Sequence, residues 1–224
     1  MIKFFIYLLF ILVSISDTDE ISDKYQLDQS FEKYFTKENC SLVIKKYHYI
    51  NCYSFEYKSP KAIAYEIEES ISDLPPINER ARYRYDTEIP AKYRTYRENY
   101  ISNKYRKCHI LGEESMHFSA RSKNFIFLMS NMAPQRYELK GMWQKLLQRE
   151  RRIAKLQGNV QVLNILLYPK NPSEIEYIKN GIAVPKYFIK IIKSNNTQEC
   201  YALPNEKLQN QDILFYTIDC EWFI

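Results

Sequence analysis

The sequence is poor in glycine and histidine, with four Gly and three His among its 224 residues. Glycine normally makes up about 7% of a protein, and loops that cradle phosphate need several glycines close together. No G-x-G-x-x-G, G-x-x-x-x-G-K-[ST] or G-x-S-x-G motif occurs in the chain. These absences exclude chemistry built on a glycine-rich phosphate loop, and three histidines leave little room for a multi-histidine zinc site.

The remaining composition is that of an ordinary globular protein. Hydrophobic residues make up 46% of the chain and charged residues 26%, values that exclude wholesale disorder and collagen-like repeats. A chain of this length forms one large domain or two small ones. Because no internal repeat or linker separates two halves, we expect one domain with a sizeable buried core.

The first residues have the pattern of a secretory signal peptide. Lys3 precedes an apolar run at residues 4–13, and residues 14–16 supply small side chains before a cleavage point at Asp17. A membrane anchor is the alternative, but the run is shorter than the ~20 residues that span a bilayer. We therefore expect a secreted protein without membrane attachment. Its predicted divisions are a signal peptide at 1–16, an N-terminal arm at 17–40 and a functional domain at 41–224.

The five cysteines of an exported chain are expected to be mostly paired, because its environment is oxidising. We predict a disulfide between Cys200 and Cys220, since both lie in strand-like sequence near the C-terminus. A second disulfide between Cys40 and Cys52 would likewise close a short loop of the chain. Cys108 is then the odd residue, and a buried thiol is favoured over a reactive nucleophile.

Two N-glycosylation motifs, at Asn39 and Asn195, are compatible with secretion, although such motifs are frequent by chance. A third asparagine, Asn171, is disqualified by the proline that follows it.

Strand-like segments outnumber helical ones, and the two kinds are segregated along the chain. Sequence rich in Val, Ile, Tyr and Phe predicts two strands within 41–57, single strands at 62–67, 124–130, 158–168 and 187–193, and a hairpin over 201–220. The clearest helix is 139–156, whose apolar stripe consists of Leu139, Trp143, Leu146, Leu147 and Ile153. This arrangement is typical of the α+β class, and we predict a central antiparallel sheet with flanking helices.

Residues 80–107 form a basic, tyrosine-rich segment with nine Arg and Lys, three acidic residues and six tyrosines. Arginine forks onto phosphate groups, clustered cations release counterions from a polyanion, and tyrosine offers a stacking surface for unpaired bases. A second basic run, from Lys140 to Lys155, lies on the predicted helix. A solvated cationic face is the alternative interpretation, because basic runs are weakly specific.

Several motifs follow one another in the order found in one nuclease family. NYISNKYRKCH at 99–109 resembles D-Y-…-D-R-G-H, and FIFLMSNMAPQRYELKGMW at 125–143 resembles F-Y-L-S-N-x-A-P-Q-…-L-N-…-W. The spacing of 22 residues between His109 and Asn131 agrees without a gap. Over residues 45–218 the chain resembles the DNA/RNA non-specific endonucleases, which are endonuclease G-like ββα-metal nucleases. The resemblance implies the ββα-metal (His-Me finger) fold and hydrolysis of phosphodiester bonds in DNA or RNA.

By this resemblance, His109 is the general base that takes a proton from the attacking water. Arg80 or Arg82 matches an upstream phosphate-binding arginine and Arg151 an arginine on the helix, both of which neutralise charge in the transition state. Framework positions of the motif are matched by Asn131, Pro134, Gln135 and Trp143. The residues predicted to contact nucleic acid are Arg84, Arg94, Arg106, Lys107, Asn131 and Gln135.

The sequence departs from the family pattern around the metal. D-R-G-H has become Arg106, Lys107 and Cys108 before the histidine, the Mg²⁺-binding asparagine aligns with Lys140, and the helix glutamate aligns with Leu147. A lysine ammonium repels Mg²⁺, and a leucine cannot orient metal-bound water. The resemblance thus implies Mg²⁺ as cofactor, while the residues at its expected position do not suit the ion.

Three functions of different classes follow. In the first, the protein cleaves nucleic acid, with Lys140 as a fixed cation in place of the metal or with a displaced ligand such as Glu150. In the second, it is a degenerate nuclease that binds nucleic acid through a cationic groove without cutting. In the third, the fold serves a secreted protein–protein role and the basic face is incidental. We favour the first because the base, the arginines and the SNMAPQ frame survive together.

Overall fold

The structure, a computed structural model, describes residues 25–69, 81–116 and 120–224. The predicted signal peptide at 1–16, the start of the N-terminal arm, and Arg80 lie outside these residues. The strands are β1 (Leu42–Lys46), β2 (Tyr49–Ser54), β3 (Ser59–Ile67), β4 (Tyr105–His109), β5 (Met132–Arg136), β6 (Val160–Leu167), β7 (Tyr177–Ile178), β8 (Ile182–Ala183), β9 (Tyr187–Lys193) and β10 (Gln198–Pro204). The α-helices are α1 (Ala120–Ile126) and α2 (Lys140–Gln157). The 3-10 helices are Gln29–Tyr34, Ala91–Tyr93, Arg97–Tyr100, Glu113–Ser115, Met129–Asn131, Tyr137–Leu139, Pro172–Glu174, Lys179–Gly181, Ile213–Tyr216 and Cys220–Trp222.

A six-stranded antiparallel sheet with the order β1-β2-β3-β6-β9-β10 forms the centre of the protein. Along β6, Val162 and Leu166 pack in one apolar cluster, whereas Leu163 and Ile165 pack in another on the opposite face. This is the two-residue alternation of a strand. The inner strands β6 and β9 are buried on both faces and are nearly continuous apolar runs, which the sequence predicts well.

Different parts of the chain cover the two faces of the sheet. One face packs against α2 through a cluster that includes Trp143 and Leu146. The other face is covered by the first and the last segments of the described residues, which meet where the Tyr34 hydroxyl donates to the carbonyl of Phe223 at 2.6 Å. The predicted α+β architecture with a central antiparallel sheet is confirmed.

α2 coincides with the helix predicted at 139–156, with each end shifted by one residue. Its buried residues Trp143, Leu146, Glu150 and Ile153 recur at intervals of three or four, so one side of the helix faces the core. The helix ends at Gly158, whose φ of 89° lies in the left-handed region that favours glycine.

Two segments differ from the sequence prediction. Residues 124–130, predicted as a strand, form the end of α1 and the 3-10 helix Met129–Asn131, because a short buried apolar run does not distinguish strand from helix. Residues 201–220, predicted as a hairpin, contribute one strand, which pairs with β9. The rest contains two 3-10 helices, where the side chains of Asp212 and Asp219 accept backbone hydrogen bonds and so favour helical turns.

Both predicted disulfides, Cys40–Cys52 and Cys200–Cys220, are present, and Cys108 is a buried free thiol. Burial raises the pKa of the Cys108 thiol to about 12. The thiol is therefore protonated at neutral pH and inert as a nucleophile, so the preference for a buried thiol is confirmed.

The described part of the N-terminal arm is partly helical and packs on the sheet. Asp28 caps the 3-10 helix Gln29–Tyr34, and Phe31 within it is fully buried. The predicted domain boundary at residue 41 stays a prediction. Neither α-helix in the described ranges combines the length and hydrophobicity that crossing a bilayer requires.

Candidate active site

β4, β5 and α2 form a ββα unit that carries His109. The two strands pair antiparallel, with His109 opposite Met132 and Arg106 opposite Gln135. α2 follows β5 after the single 3-10 turn Tyr137–Leu139. The short connection keeps the helix against the hairpin, on the same face of the central sheet.

A hydrogen bond joins α2 to β4 at His109. The indole Nε1 of Trp143 donates to the backbone carbonyl oxygen of His109 at 3.0 Å. Trp143 is buried in the core, so the donor is held rigidly. Lys140 is exposed and precedes Trp143 by three residues, which places it on the same side of α2, one turn nearer the N-terminus. Lys140, the first residue of α2, therefore lies about one helical turn from the residue that bonds to the backbone of His109.

Two aromatic rings pack against the imidazole of His109. Its ring centroid lies 5.6 Å from that of Tyr83 and 5.2 Å from that of Phe127. The Nε2 atom is buried, while the residue as a whole is half-buried. The Nζ atom of Lys107 lies 4.6 Å from the centroid of the Tyr83 ring. The predicted base therefore has a packed ring and a cation nearby.

Asn131 holds the backbone that follows His109. Its carbonyl accepts from the N–H of Ile110 at 3.1 Å, and its Oδ1 accepts from the N–H of Leu111 at 2.9 Å. Its Nδ2 donates to the carbonyls of Leu111 and Ile126, both at 3.0 Å. Asn131 is fully buried, so the predicted contact with nucleic acid is corrected to a framework role.

Lys140, Leu147 and Arg151 lie along one side of α2, separated by seven and four residues. A Cβ atom added to Gly112 would lie 3.0 Å from Cδ2 of Leu147, so the loop after β4 approaches the helix closely. Arg151 forms an ion pair with Glu114 of the same loop. These contacts tie the helix to the backbone that follows the predicted base.

A buried ion pair lies next to Trp143. Lys190 of β9 and Glu150 of α2 are both fully buried and paired, and Nζ of Lys190 lies 4.8 Å from the Trp143 ring centroid. Glu150 also accepts hydrogen bonds from the hydroxyls of Tyr65 at 2.9 Å and Ser115 at 2.7 Å. Burial lowers the pKa of Lys190, and the charge of Glu150 opposes that shift. Because its oxygens are enclosed and bonded, Glu150 is not available as a displaced metal ligand.

Buried amides of the sheet support the same unit. Asn51 of β2 donates to the carbonyl of Ser130 at 2.9 Å, and Asn164 of β6 donates to the carbonyl of Ile110 at 3.5 Å. Both asparagines are fully buried. Polar side chains in these otherwise apolar strands therefore satisfy backbone carbonyls beside the site.

Arg82 and Arg84 are exposed and flank Tyr83, whose ring contacts His109. In an extended segment, neighbours of an inward-facing residue point the other way. The two arginines therefore lie beside the predicted base without touching its ring, while Arg80 is outside the described residues.

Arg94 is engaged by its own loop. Its Nε donates to the carbonyl of Ile89 at 2.6 Å and its Nη2 to the carbonyl of Thr87 at 3.0 Å. Its guanidinium also lies 4.8 Å from the ring centroid of Tyr85. These bonds give Arg94 a role in shaping its loop, and its predicted contact with nucleic acid stays a prediction.

Arg106 and Gln135 bond to each other across the hairpin, through Nη1 and Oε1 at 3.1 Å. Gln135 is fully buried, and its Nε2 makes no hydrogen bond with the described residues. Its predicted contact with nucleic acid is corrected to a framework role. Arg106 and Lys107 are half-buried on the same strand as His109.

The residues around His109 do not fit a Mg²⁺ ion held by the protein. Mg²⁺ takes oxygen ligands, whereas this side of α2 carries Lys140 and Leu147. The carboxylate of Glu114 is paired with Arg151. No group of three His, Cys, Asp or Glu side chains that could hold a metal occurs within residues 25–69, 81–116 and 120–224.

Sequence reasoning misses four residues that shape the site. Tyr83 is one of six similar tyrosines in its segment, and Phe127 lies where a strand is predicted. Glu114 pairs with Arg151 only because the loop after β4 passes close to α2, and the sequence does not indicate the path of that loop. Lys190 carries a usable signal, because a lone charge inside the apolar run of β9 indicates a buried partner.

Known proteins resemble this chain in sequence and in fold. A family model described as DNA/RNA non-specific endonuclease matches residues 28–221. A protein of Saccharomyces cerevisiae named mitochondrial nuclease is 26% identical over 186 residues, covering 73% of this chain and 56% of that protein. The chain thus spans just over half the length of this relative.

The fold is similar to that of a chain in the crystal structure of the EndoG/EndoGI complex. The two chains share 21% sequence identity with a TM-score of 0.73, over 88% of this chain and 89% of that chain. This similarity confirms the predicted ββα-metal architecture.

Proposed function

Because the chain belongs to the DNA/RNA non-specific endonuclease family, we propose that it hydrolyses phosphodiester bonds of DNA or RNA with His109 as the general base. The observation that carries the proposal is the hydrogen bond from Trp143 to the carbonyl of His109 at 3.0 Å. That bond joins the strand carrying the base to the helix carrying two of the predicted phosphate-binding cations, Lys140 and Arg151.

In the proposed reaction, the imidazole of His109 takes a proton from a water molecule, whose oxygen attacks the phosphorus. The P–O bond to the leaving oxygen breaks, and that oxygen is protonated from solvent. Packing against Tyr83 and Phe127 fixes the ring, so the nitrogen keeps one direction towards the substrate. A positioned general base of this kind contributes roughly 10²–10⁴-fold to a rate.

The cations along α2 would stabilise the negative charge that develops on the phosphate oxygens. Lys140 is exposed at the start of the helix and is assigned this role in place of a metal. Arg151 is paired with Glu114, whose side chain is 73% exposed. The Arg151 side chain is only 18% exposed, so the proposal requires the exposed carboxylate of Glu114 to move aside and a phosphate to take its place.

Nucleases of this family are metal-dependent, and a divalent ion supplies Lewis-acid stabilisation of the phosphate when it is bound. Lys140 and Leu147 do not offer ligands for such an ion. The proposed reaction therefore assigns charge neutralisation to Lys140 and to the arginines.

The deciding experiment is digestion of plasmid DNA and of RNA by the purified protein with Mg²⁺, with Mn²⁺ and with a chelator. Cleavage that persists with chelator and is lost in His109→Ala would support the proposal. Intact substrates under all three conditions, with His109→Ala indistinguishable from the wild type, would refute it.

Binding of nucleic acid without cleavage is the second candidate function. It is favoured because Lys140 and Leu147 stand on α2 at the positions where the family has metal-binding residues. Under this alternative, DNA binding weakens steeply between low and physiological salt because bound cations displace counterions. Steep salt dependence without cleavage would establish it. Negligible DNA affinity even at low salt would leave only a protein–protein role.

We also propose that the protein is exported after removal of residues 1–16. The two disulfides support export, because stable disulfides form in oxidising compartments. Cells that express the full chain should release a protein that begins at Asp17, as determined by mass spectrometry of the medium. An intracellular product that retains Met1 would contradict export.

A further inference from the structure

Asn195 lies in an exposed turn that the proposed nuclease site does not use. Residues 194–197 connect β9 to β10, and Lys193 pairs with Gln198 at the base of the turn. Asn195, its neighbour and Thr197 are all exposed. They form the motif Asn-x-Thr, in which the asparagine amide nitrogen can accept an oligosaccharide.

The backbone of this turn is fixed although the Asn195 side chain projects freely. The N–H of Ser194 donates to the carbonyl of Thr197 at 2.8 Å. The hydroxyls of both residues also bind Oε1 of Gln157 at the end of α2, at 2.7 and 2.8 Å. Within the described ranges, no hydrogen bond engages the Asn195 amide group. An oligosaccharide on this nitrogen would therefore displace no contact.

The other motif, at Asn39, has a different environment. Its Nδ2 donates to the carbonyl of Lys33 at 2.6 Å, and its backbone carbonyl accepts from Nζ of Lys61 at 2.7 Å. The next residue is fixed by the disulfide Cys40–Cys52. Asn39 also lines a cavity of about 500 Å³. The residue is exposed, but the nitrogen that would carry a sugar is already hydrogen-bonded to the backbone, unlike that of Asn195.

We propose that Asn195 carries an N-linked oligosaccharide in the exported protein and that Asn39 does not. This modification requires export but not nuclease activity, so it can fail or hold independently of the proposed reaction. α2 separates the turn from the site: with about 1.5 Å of rise per residue, Gln157 lies about 25 Å along the helix axis from Lys140. The oligosaccharide would leave the ββα unit open to a nucleic-acid strand.

The test uses the full chain expressed from Met1 in eukaryotic cells, recovered from the medium and treated with peptide N-glycosidase. One glycosidase-sensitive gel shift is expected, lost in Asn195→Gln and retained in Asn39→Gln. Asn171→Gln is a matched control at a proline-blocked motif. Thr197→Ser keeps the hydroxyl and should retain the shift, whereas Thr197→Ala should lose it.

Three results would overturn the proposal: no shift in the wild-type protein, a shift that persists in Asn195→Gln, or a shift that disappears in Asn39→Gln. Peptide mapping of the glycosidase-treated protein gives a second measurement, because enzymatic release converts the modified asparagine to aspartate. Conversion at Asn195 alone is the expected result.

Discussion

The indole nitrogen of Trp143 and the backbone carbonyl of His109 are hydrogen-bonded at 3.0 Å, which couples the position of α2 to that of the predicted base. The same indole ring lies 4.8 Å from the buried ammonium of Lys190. A shift of the helix would therefore move both the cations that it carries and the strand that ends at His109. This coupling connects the effects of substitutions in the helix and in the strand.

Replacing His109 by alanine should lower nucleic-acid cleavage by roughly 10²–10⁴-fold, because the reaction loses its general base. His48, in the turn between β1 and β2, provides the matched control, and His48→Ala should retain activity. Rates are compared by plasmid nicking, with circular dichroism as the check on folding. Equal loss in both variants would contradict the assignment.

Lys140→Ala should abolish cleavage that persists in chelator, because a fixed cation beside the phosphate is lost. Lys140→Asn tests the opposite possibility: if the lysine merely blocks a metal, this variant gains Mg²⁺-dependent cleavage. The control is Lys145→Ala, a lysine of the same helix whose Nζ instead donates to the carbonyl of Gln211 at 2.7 Å. Unchanged activity in both Lys140 variants would remove Lys140 from the mechanism.

Arg151→Ala should reduce cleavage or DNA binding more than Arg149→Ala does. Arg151 pairs with Glu114 beside the backbone that follows the predicted base, whereas Arg149 donates to Glu199 of β10 at 2.9 Å. The two variants remove the same charge from one helix, so the comparison separates position from net charge. Equal effects on activity and on the salt dependence of binding would indicate a nonspecific cationic surface.

Glu150→Gln should lower the free energy of unfolding by about 3–5 kcal/mol, because it leaves the Lys190 ammonium buried without its counter-charge. The double variant Glu150→Gln/Lys190→Met removes both charges and should recover much of the loss. Urea denaturation at neutral pH measures both effects. A single variant as stable as the wild type would show that the pair does not support the fold.

The free energy of unfolding should decrease in acid, partly because the carboxylate of Glu199 becomes protonated. The hydrogen bond from Arg149 holds the pKa of this carboxyl below its ordinary value in the folded protein. A lowered folded-state pKa stabilises the fold above the unfolded pKa of about 4.3. The contribution is lost as pH falls through the folded value.

Glu199→Gln should therefore be less stable than the wild type at neutral pH, and the difference should shrink in acid. Thermal unfolding at neutral pH and at about pH 3, below the reference carboxyl value, measures it. A difference that does not change with pH would point to packing rather than charge.

The inner strands of the sheet can be predicted from sequence because they are buried on both faces. β9 coincides with the prediction at 187–193, and β6 lies within the prediction at 158–168. The same rule explains the failure at 124–130, where the apolar run is equally continuous but short, and tertiary packing favours helical turns. The C-terminal 3-10 helices depend on capping by nearby aspartates. A prediction based only on strand-like residues in this segment overlooks those caps.

The candidate site is only partly predictable. His109 and Trp143 lie in motifs whose order and spacing can be read directly, and the structure joins them by a hydrogen bond. The partners of Glu150 and Arg151 come from distant parts of the chain, so no local pattern indicates that one carboxylate is buried or that one arginine is paired. The sequence likewise does not show that Asn131 and Gln135 are buried, whereas the basic residues predicted alongside them are at least partly exposed.

The N-terminal segment that contains Tyr34 and the C-terminal segment meet on the sheet face opposite α2, where Tyr34 bonds to the carbonyl of Phe223. Each end is also linked to the sheet by a disulfide, one reaching β2 and the other β10. Reducing conditions would break both disulfides and release both segments from the sheet. The edge strand β10 would then be exposed to neighbouring molecules and could pair with their strands. The two disulfides are therefore expected to protect the protein from aggregation, in addition to stabilising the fold.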